Sequence, residues 1–241
     1  MAALTATNIS FIYGDTRILN DVSLSVSSSE VVAIIGASCS GKSTLLKIAA
    51  GLLKPSDGLL NRPEVGKTGF VFQSPELLQW RSALDNVSLP IEIRGTNRKE
   101  ARLAALKELQ AVGLEGHADK LPHQLSGGMQ MRASLARSLV TQPELLLLDE
   151  PFASLDELTR RELLQQLSLR LHSVQCGVIF VSHSVSEAIF IADRLFLMSR
   201  AGRLIDLGPT GTDRSDNPIN RLESEQLIAL ARYALARMES E

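Results

Sequence analysis

GASCSGKS, residues 36–43, is the stretch of this sequence that decides the fold. It fits the pattern G-x-x-x-x-G-K-[ST], in which backbone N–H groups and a lysine surround nucleotide phosphates. The apolar run at 31–35 before it predicts a buried parallel strand, and the segment 44–50 after it predicts a helix ended by Gly51. This order places phosphates at a helix N-terminus, where the helix dipole favours negative charge. We therefore predict that the chain binds a nucleoside triphosphate.

A second apolar run, residues 145–148, is followed by two adjacent carboxylates, Asp149 and Glu150. An acid at the end of such a strand can hold the Mg²⁺ ion beside a phosphate loop. Neighbouring residues of an extended chain point in opposite directions, so the two carboxylates cannot share that task. We expect Asp149 to hold the metal together with Ser43, and Glu150 to polarise a water for attack on the γ-phosphate. The alternative is that the two acids only cap a strand.

The sequence LSGG, residues 125–128, lies between these two motifs and precedes a helical stretch at 129–140. Glycines at a helix start expose backbone N–H groups that can bind phosphate. In this order, the motifs resemble those of the ABC transporter ATPase family. The resemblance runs from Tyr13 to His183 and includes a glutamine loop at 71–73 and a D-loop at 154–156.

The family resemblance implies an α/β fold. The expected architecture is a P-loop NTPase (RecA-like) core with an N-terminal antiparallel β subdomain and an inserted α-helical subdomain. The resemblance implies a single ABC ATPase domain over residues 1–241. We expect the core and β subdomain at about 1–83 and 141–210, the helical signature subdomain at about 84–140, and a C-terminal helix at 218–241.

The resemblance also implies roles for single residues. The expected catalytic residues are Glu150, His183, which contacts the γ-phosphate, and Gln73, which touches Mg²⁺ or the attacking water. The expected metal ligands are Ser43, Gln73 and Asp149. The residues expected to contact the nucleotide, with Tyr13 stacking on adenine, are Tyr13, Gly36, Ala37, Ser38, Cys39, Ser40, Gly41, Lys42, Ser43, Thr44, Ser126, Gly127, Gly128 and Asp156.

The partners expected from the resemblance are other protein chains. Members of the family pair head to tail, so the signature of one copy covers the ATP held by the other. We expect ATP and Mg²⁺, a second copy of the ATPase subunit, transmembrane permease subunits and an extracytoplasmic solute-binding protein. The protein would then lie peripherally on the cytoplasmic face of the inner membrane. The net charge of −2 gives no pull toward nucleic acid, and no apolar stretch approaches the roughly 20 residues that cross a bilayer.

The segment SPELLQWR at 74–81, followed by DNV at 85–87, points to a subgroup of the family. It resembles the corresponding segment of importers for nitrate, sulfonates and taurine. Trp80, the single tryptophan, is a candidate residue of the groove that receives the coupling helix of a permease. Two alternatives stay open: the ATPase of an exporter or lipid-transport system, and a soluble ABC ATPase for cofactor assembly.

The chain departs from the family pattern at three positions. Cys39 stands where glycine is usual, which predicts a strained phosphate loop and a reactive thiol beside Lys42. Ser184 follows His183 where aspartate is common, and Met131 replaces a glutamine after the signature. None of these changes removes an expected catalytic group.

Two further patterns predict local structure. An apolar stripe with charges between its members predicts an amphipathic helix at 98–112, with the stripe formed by Leu103, Leu106, Leu109 and Val112. Residues 194–207 predict a hairpin with its turn at 201–203.

Overall fold

A computed structural model describes residues 2–153 and 155–210, together with Tyr233 and Ala236. The strands are β1 (Ala2–Tyr13), β2 (Thr16–Ser27), β3 (Val31–Ile35), β4 (Asp57–Asn61), β5 (Thr68–Val71), β6 (Leu145–Asp149), β7 (Gly177–Val181), β8 (Arg194–Met198) and β9 (Leu204–Pro209). The helices are α1 (Lys42–Ala49), α2 (Ala83–Ile93), α3 (Arg98–Ala111), α4 (Gly127–Leu139), α5 (Glu157–Ser173) and α6 (Val185–Ile191). The helix expected at 218–241 lies outside the described residues, as does Ser154 of the expected D-loop.

Six strands form the central sheet in the order β5-β6-β7-β3-β8-β9. All neighbours are parallel except β8 and β9, which form the predicted hairpin. Strands β3, β6 and β7 are buried along their whole length, as expected for strands covered on both faces. The carboxyl ends of parallel strands meet at one edge of a sheet, so the segments after β3, β5, β6 and β7 converge there.

The two faces of the central sheet are covered differently. The antiparallel sheet β2-β1-β4 and helix α1 cover one face, and their core includes Leu4, Ile9 and Leu46. Helices α4, α5 and α6 cover the other face, where Phe180 and Leu167 are buried. The α/β fold predicted from the resemblance, with its antiparallel β subdomain and inserted helices, is confirmed.

Helices α2, α3 and α4 enclose a third apolar core that contains Val87, Leu109 and Ala133. The predicted stripe on α3 is partly wrong, because Leu103 and Leu106 are 54% and 38% exposed. The buried residues of α3 are Ala101, Ala105 and Leu109. Small alanine side chains let α2 and α4 approach α3 closely, and this contact turns the two leucines toward solvent. Within the described residues, no helix has both the length and the apolarity to span a bilayer.

Candidate functional site

A cleft of about 420 Å³ opens at the carboxyl edge of the central sheet, beside the start of α1. Its lining includes the phosphate-loop residues 38–44, Gln73 after β5 and Glu150 after β6. Helix α1 begins after Gly41 without a side-chain cap, so its first N–H groups have no side-chain acceptor there. A cleft at this end of α1 suits an anion such as a phosphate chain.

The phosphate loop contains a glycine that no other residue can replace, and it contains a strained cysteine. Gly36 has φ +155°, and a Cβ there would lie 2.4 Å from the carbonyl oxygen of Met198, so no other residue fits. Cys39 has φ +64°, which is the left-handed conformation. Residues that carry a Cβ adopt this conformation only at a cost in free energy. The strain expected from the cysteine is therefore present in the loop.

Lys42 is buried at the floor of the cleft. Its Nζ donates hydrogen bonds to the carbonyl oxygens of Gly36 at 2.9 Å and Ala37 at 2.8 Å. It also lies 3.7 Å from Glu150 Oε1. Burial lowers the pKa of Lys42, while the nearby carboxylates of Glu150 and Asp149 act in the opposite direction.

Ser43 and Asp149 meet at the adjacent wall of the site. Ser43 Oγ donates a hydrogen bond to Asp149 Oδ1 at 3.0 Å. Asp149 is buried, and burial raises the pKa of its carboxyl, with the Ser43 hydrogen bond opposing the shift. A hydroxyl and a carboxylate oxygen held this close are the oxygen donors that Mg²⁺ accepts, so these residues fit the expected metal.

Glu150 points away from Asp149 because the backbone turns between them. Asp149 ends β6, whereas Glu150 has φ +44° and donates its N–H to the carbonyl of Val181 at 3.0 Å. Its Oε1 then faces Lys42, and its Oε2 lies 3.2 Å from Nδ1 of His183. The two adjacent acids thus meet different groups, as expected, although a turn of the backbone at Glu150 separates them and not the alternation of an extended chain. The positive φ is backbone strain of the kind that occurs at functional sites.

The signature residues and Asp156 of the D-loop lie outside the cleft and cap or pack against helices α4 and α5. Ser126 caps α4 by accepting a hydrogen bond from the N–H of Met129 at 3.3 Å. Gly128 packs on α5 so tightly that a Cβ would lie 2.8 Å from Thr159 Cγ2. Asp156 caps α5 by accepting from the N–H of Thr159 at 3.1 Å, and this hydrogen bonding lowers its pKa. Neither these three residues nor Gly127 belongs to the cleft lining.

Two apolar positions near the site differ from the sequence-based picture. Tyr13 is exposed at the hairpin end of β1 and is not among the residues that line the cleft. Ile18, on β2, does line it and was missed. An isoleucine within a strand carries no chemical signal, so only the packing of β2 beside Gly41 reveals its position.

Trp80 is 76% exposed, and hydrogen bonds hold the backbone of the chain on both sides of it. The buried side chain of Asn86 accepts a hydrogen bond from the N–H of Leu78 at 2.7 Å. It donates hydrogen bonds to the carbonyls of Leu78, Arg81 and Ser82 at 3.0–3.1 Å. The segment around Trp80 therefore presents an aromatic side chain to solvent from a fixed loop.

Comparison with known proteins places this chain among ATP-binding cassettes. The family model described as "ABC transporter" matches residues 19–153. The bicarbonate transport ATP-binding protein CmpD of Synechocystis sp. is 37% identical, over 97% of this chain and 88% of that protein. The aliphatic sulfonates import ATP-binding protein SsuB of Granulibacter bethesdensis is 46% identical, over 80% of this chain and 77% of that protein.

A solved structure gives the same result for the fold. The dimeric post-hydrolysis state of the ATP-binding cassette MJ0796, bound to ADP and Pi, superposes with a TM-score of 0.73 at 31% identity. The match covers 83% of this chain and 96% of that one.

Proposed function

The chain belongs to the ABC transporter family, and from that premise we propose that it is the ATP-binding, ATP-hydrolysing subunit of an importer for a small anionic solute. The observation that carries the proposal is the convergence of the phosphate loop, Asp149, Glu150 and His183 at one edge of the sheet. Bicarbonate and aliphatic sulfonates, named for two similar proteins, are both small anions. These names favour import over the exporter and cofactor-assembly alternatives.

In this proposal the phosphate loop holds ATP. The N–H groups of residues 36–44 face the phosphates, and the Lys42 ammonium reaches the β- and γ-phosphates. Ser43, Asp149 and Gln73 hold Mg²⁺, which when bound neutralises charge on the phosphate oxygens. Tyr13 stacks on the adenine, which extends the site beyond the cleft toward the β subdomain.

Hydrolysis in this proposal depends on Glu150 and His183. Glu150 accepts a hydrogen bond from the water that attacks the γ-phosphate, and His183 contacts that phosphate. The 3.2 Å contact between His183 and Glu150 supports these roles, because both side chains can face one reacting group. Lys42 Nζ lies 3.7 Å from Glu150 Oε1, so a positive charge faces this carboxylate at the site.

A second copy completes the site in this proposal. Ser126, Gly127 and Gly128 of one copy contact the γ-phosphate held by the other, and Asp156 lies at the interface between them. Their position outside the cleft of their own chain supports a contribution to the partner's cleft. Such an arrangement uses one self-complementary surface on both copies.

The remaining partners follow from transport. Two permease subunits hold the ATPase at the cytoplasmic face of the inner membrane, and the exposed Trp80 enters their interface. An extracytoplasmic solute-binding protein delivers the anion. The experiment is to isolate the protein from mildly solubilised native membranes and identify the chains that accompany it. A multi-spanning permease is the expected companion, whereas recovery in the soluble fraction without any membrane protein would contradict the proposal.

A further inference from the structure

We propose that Arg160 and Glu187 are positioning residues for ATP hydrolysis, which join the loop that carries His183 to the loop that carries Asp156. The inference rests on the proposed function, because it takes the roles of His183 and Asp156 from it. Neither Arg160 nor Glu187 lines the cleft at the phosphate loop, so each acts through the backbone that it holds.

Glu187 fixes the chain on both sides of His183. It lies in the first turn of α6, is buried, and accepts a hydrogen bond through Oε2 from Ser182 Oγ at 2.5 Å. The same Ser182 oxygen accepts a hydrogen bond from the N–H of Ser184 at 3.0 Å. The residues before and after His183 are thus tied to one carboxylate. Ser184 also caps α6 through the N–H of Glu187 at 3.4 Å, so it performs the capping that an aspartate at this position could perform.

Arg160 fixes the D-loop in a similar way. Its Nη2 donates a hydrogen bond to the carbonyl of Leu155 at 2.9 Å, one residue before Asp156. Its Nε is buried and makes no hydrogen bond among the described residues, but it lies 3.7 Å from Oε1 of Glu187. A small approach of α5 toward α6 converts this ion pair into a charge-assisted hydrogen bond.

The ion pair differs from an ordinary surface pair in its burial. The side chains of Arg160 and Glu187 are 26% and 10% exposed. On the solvent-exposed face of the same helix, Arg161 and Glu157 form a shorter pair of 3.0 Å with side chains 74% and 65% exposed. Water screens the exposed pair, which contributes little to stability, whereas the less exposed pair is screened less and connects two backbones through the hydrogen bonds of Arg160 and Glu187. The chain therefore supplies a matched control within the same helix.

The consequence is a mechanical path from the interface between copies to the γ-phosphate. A partner that contacts Asp156 displaces the start of α5 and, with it, Arg160. Glu187 then carries the displacement to Ser182 and so to His183. Because the path runs through two charged groups that can be changed singly and together, a double-mutant cycle tests it directly.

The experiment measures steady-state ATPase activity of the purified protein carrying Glu187→Gln, Arg160→Gln or both. The glutamine at 187 keeps an oxygen for Ser182 and removes only the charge that faces Arg160. We expect each single change to lower kcat about tenfold, because a small misplacement of a reacting group is costly. We expect the dissociation constant of a fluorescent ATP analogue to stay within about twofold of the wild-type value. The kcat of the double variant should be no lower than that of the less active single variant.

Three comparisons make the result decisive. Turnover is expressed per nucleotide-binding site, because a purely structural role lowers the melting temperature and the number of sites but leaves kcat per site unchanged. Arg161→Gln keeps the wild-type kcat. Arg160→Lys, which keeps the charge without the planar fork, replaces Arg160→Gln if that variant does not fold, and it is expected to lower kcat as well.

Wild-type kcat per site in Glu187→Gln or in the Arg160 variant overturns the inference, as do losses that multiply in the double variant. His183→Ala, measured beside them, separates this failure from that of the proposed function. If His183→Ala lowers kcat and the Arg160 and Glu187 variants do not, the proposed function stands and only the positioning role of Arg160 and Glu187 is removed. Wild-type kcat in His183→Ala overturns the proposed role of His183 and the inference with it.

Discussion

Ser43 Oγ donates a hydrogen bond to Asp149 Oδ1 across 3.0 Å, although 106 positions of sequence separate the two residues. The contact exists because only β7 lies between β6 and β3, the strand that precedes Ser43, and both β3 and β6 end at the same edge of the sheet. Burial raises the pKa of Asp149, so its carboxylate holds a proton more readily than an exposed one. This pair leads to a prediction about metal dependence.

Asp149→Asn is expected to raise the Mg²⁺ concentration for half-maximal ATPase activity by at least about tenfold. Protons compete with the metal for the carboxylate. Since the pKa of Asp149 is raised, the wild-type requirement for Mg²⁺ should increase as pH falls, and should do so at a higher pH than an exposed aspartate would give. Titrations of activity with Mg²⁺ at several pH values measure both effects.

The asparagine variant should lack this pH dependence, and excess Mg²⁺ should restore wild-type activity at low pH. Asp206→Asn is the control, because Asp206 is half exposed and pairs with Arg194 away from the cleft. An unchanged Mg²⁺ requirement in Asp149→Asn contradicts the assignment of the metal ligand.

Glu150→Gln is expected to lower kcat by about 10²- to 10⁴-fold while ATP still binds, since only the group that polarises water is changed. The ATP-bound dimer should therefore accumulate, and size-exclusion chromatography with and without ATP measures it. Glu144→Gln is the matched control, because that carboxylate is exposed and pairs with Lys67. Failure to accumulate a dimer in ATP, together with near-normal turnover, would count against Glu150 as the base.

Cys39→Gly is expected to increase the free energy of unfolding by about 1 kcal/mol, because glycine adopts φ +64° without the cost that cysteine bears. Urea denaturation measures the change. The same exposed thiol, near the start of α1 and beside Lys42, should react with N-ethylmaleimide, inactivate the enzyme, and be protected by ATP.

The second cysteine, Cys176, should not interfere with the alkylation test, because it is buried and should not react in the folded protein. Cys39→Ser should keep its activity after alkylation. Equal inactivation of wild type and Cys39→Ser would show that another group is responsible.

Trp80→Ala is expected to leave the ATPase activity of the isolated subunit unchanged and to weaken binding to the permease by about thirtyfold, as loss of an aromatic anchor does. Pull-down with solubilised permease measures the affinity. Because Trp80 is the single tryptophan, its fluorescence should also shift when the permease binds. Leu59→Ala, at an equally exposed position on β4, is the control and should bind normally. Normal binding by Trp80→Ala would remove this residue from the interface.

Short-range patterns were predicted well from the sequence. The phosphate loop between β3 and α1 and the carboxylates at the end of β6 depend on a few neighbouring residues, and both are present where expected. The family, the fold and the import ATPase function inferred from the motif series agree with the similar proteins. On α3 the prediction was wrong for Leu103 and Leu106, because periodicity shows that a helix has an apolar face but not which neighbours press against it.

The sequence by itself determined which chemical groups the site contains: a phosphate loop with its lysine, two adjacent acids, and a histidine after a buried strand. Only the tertiary structure decided which of them meet. The order of strands brought Ser43 to Asp149, the positive φ of Glu150 turned its carboxylate toward His183, and the packing of α5 beside α6 brought Arg160 to Glu187. The physical reason is the distance along the chain over which each effect acts. Residue type and spacing act over a few positions, whereas strand order and helix packing result from burying one shared core across the whole chain.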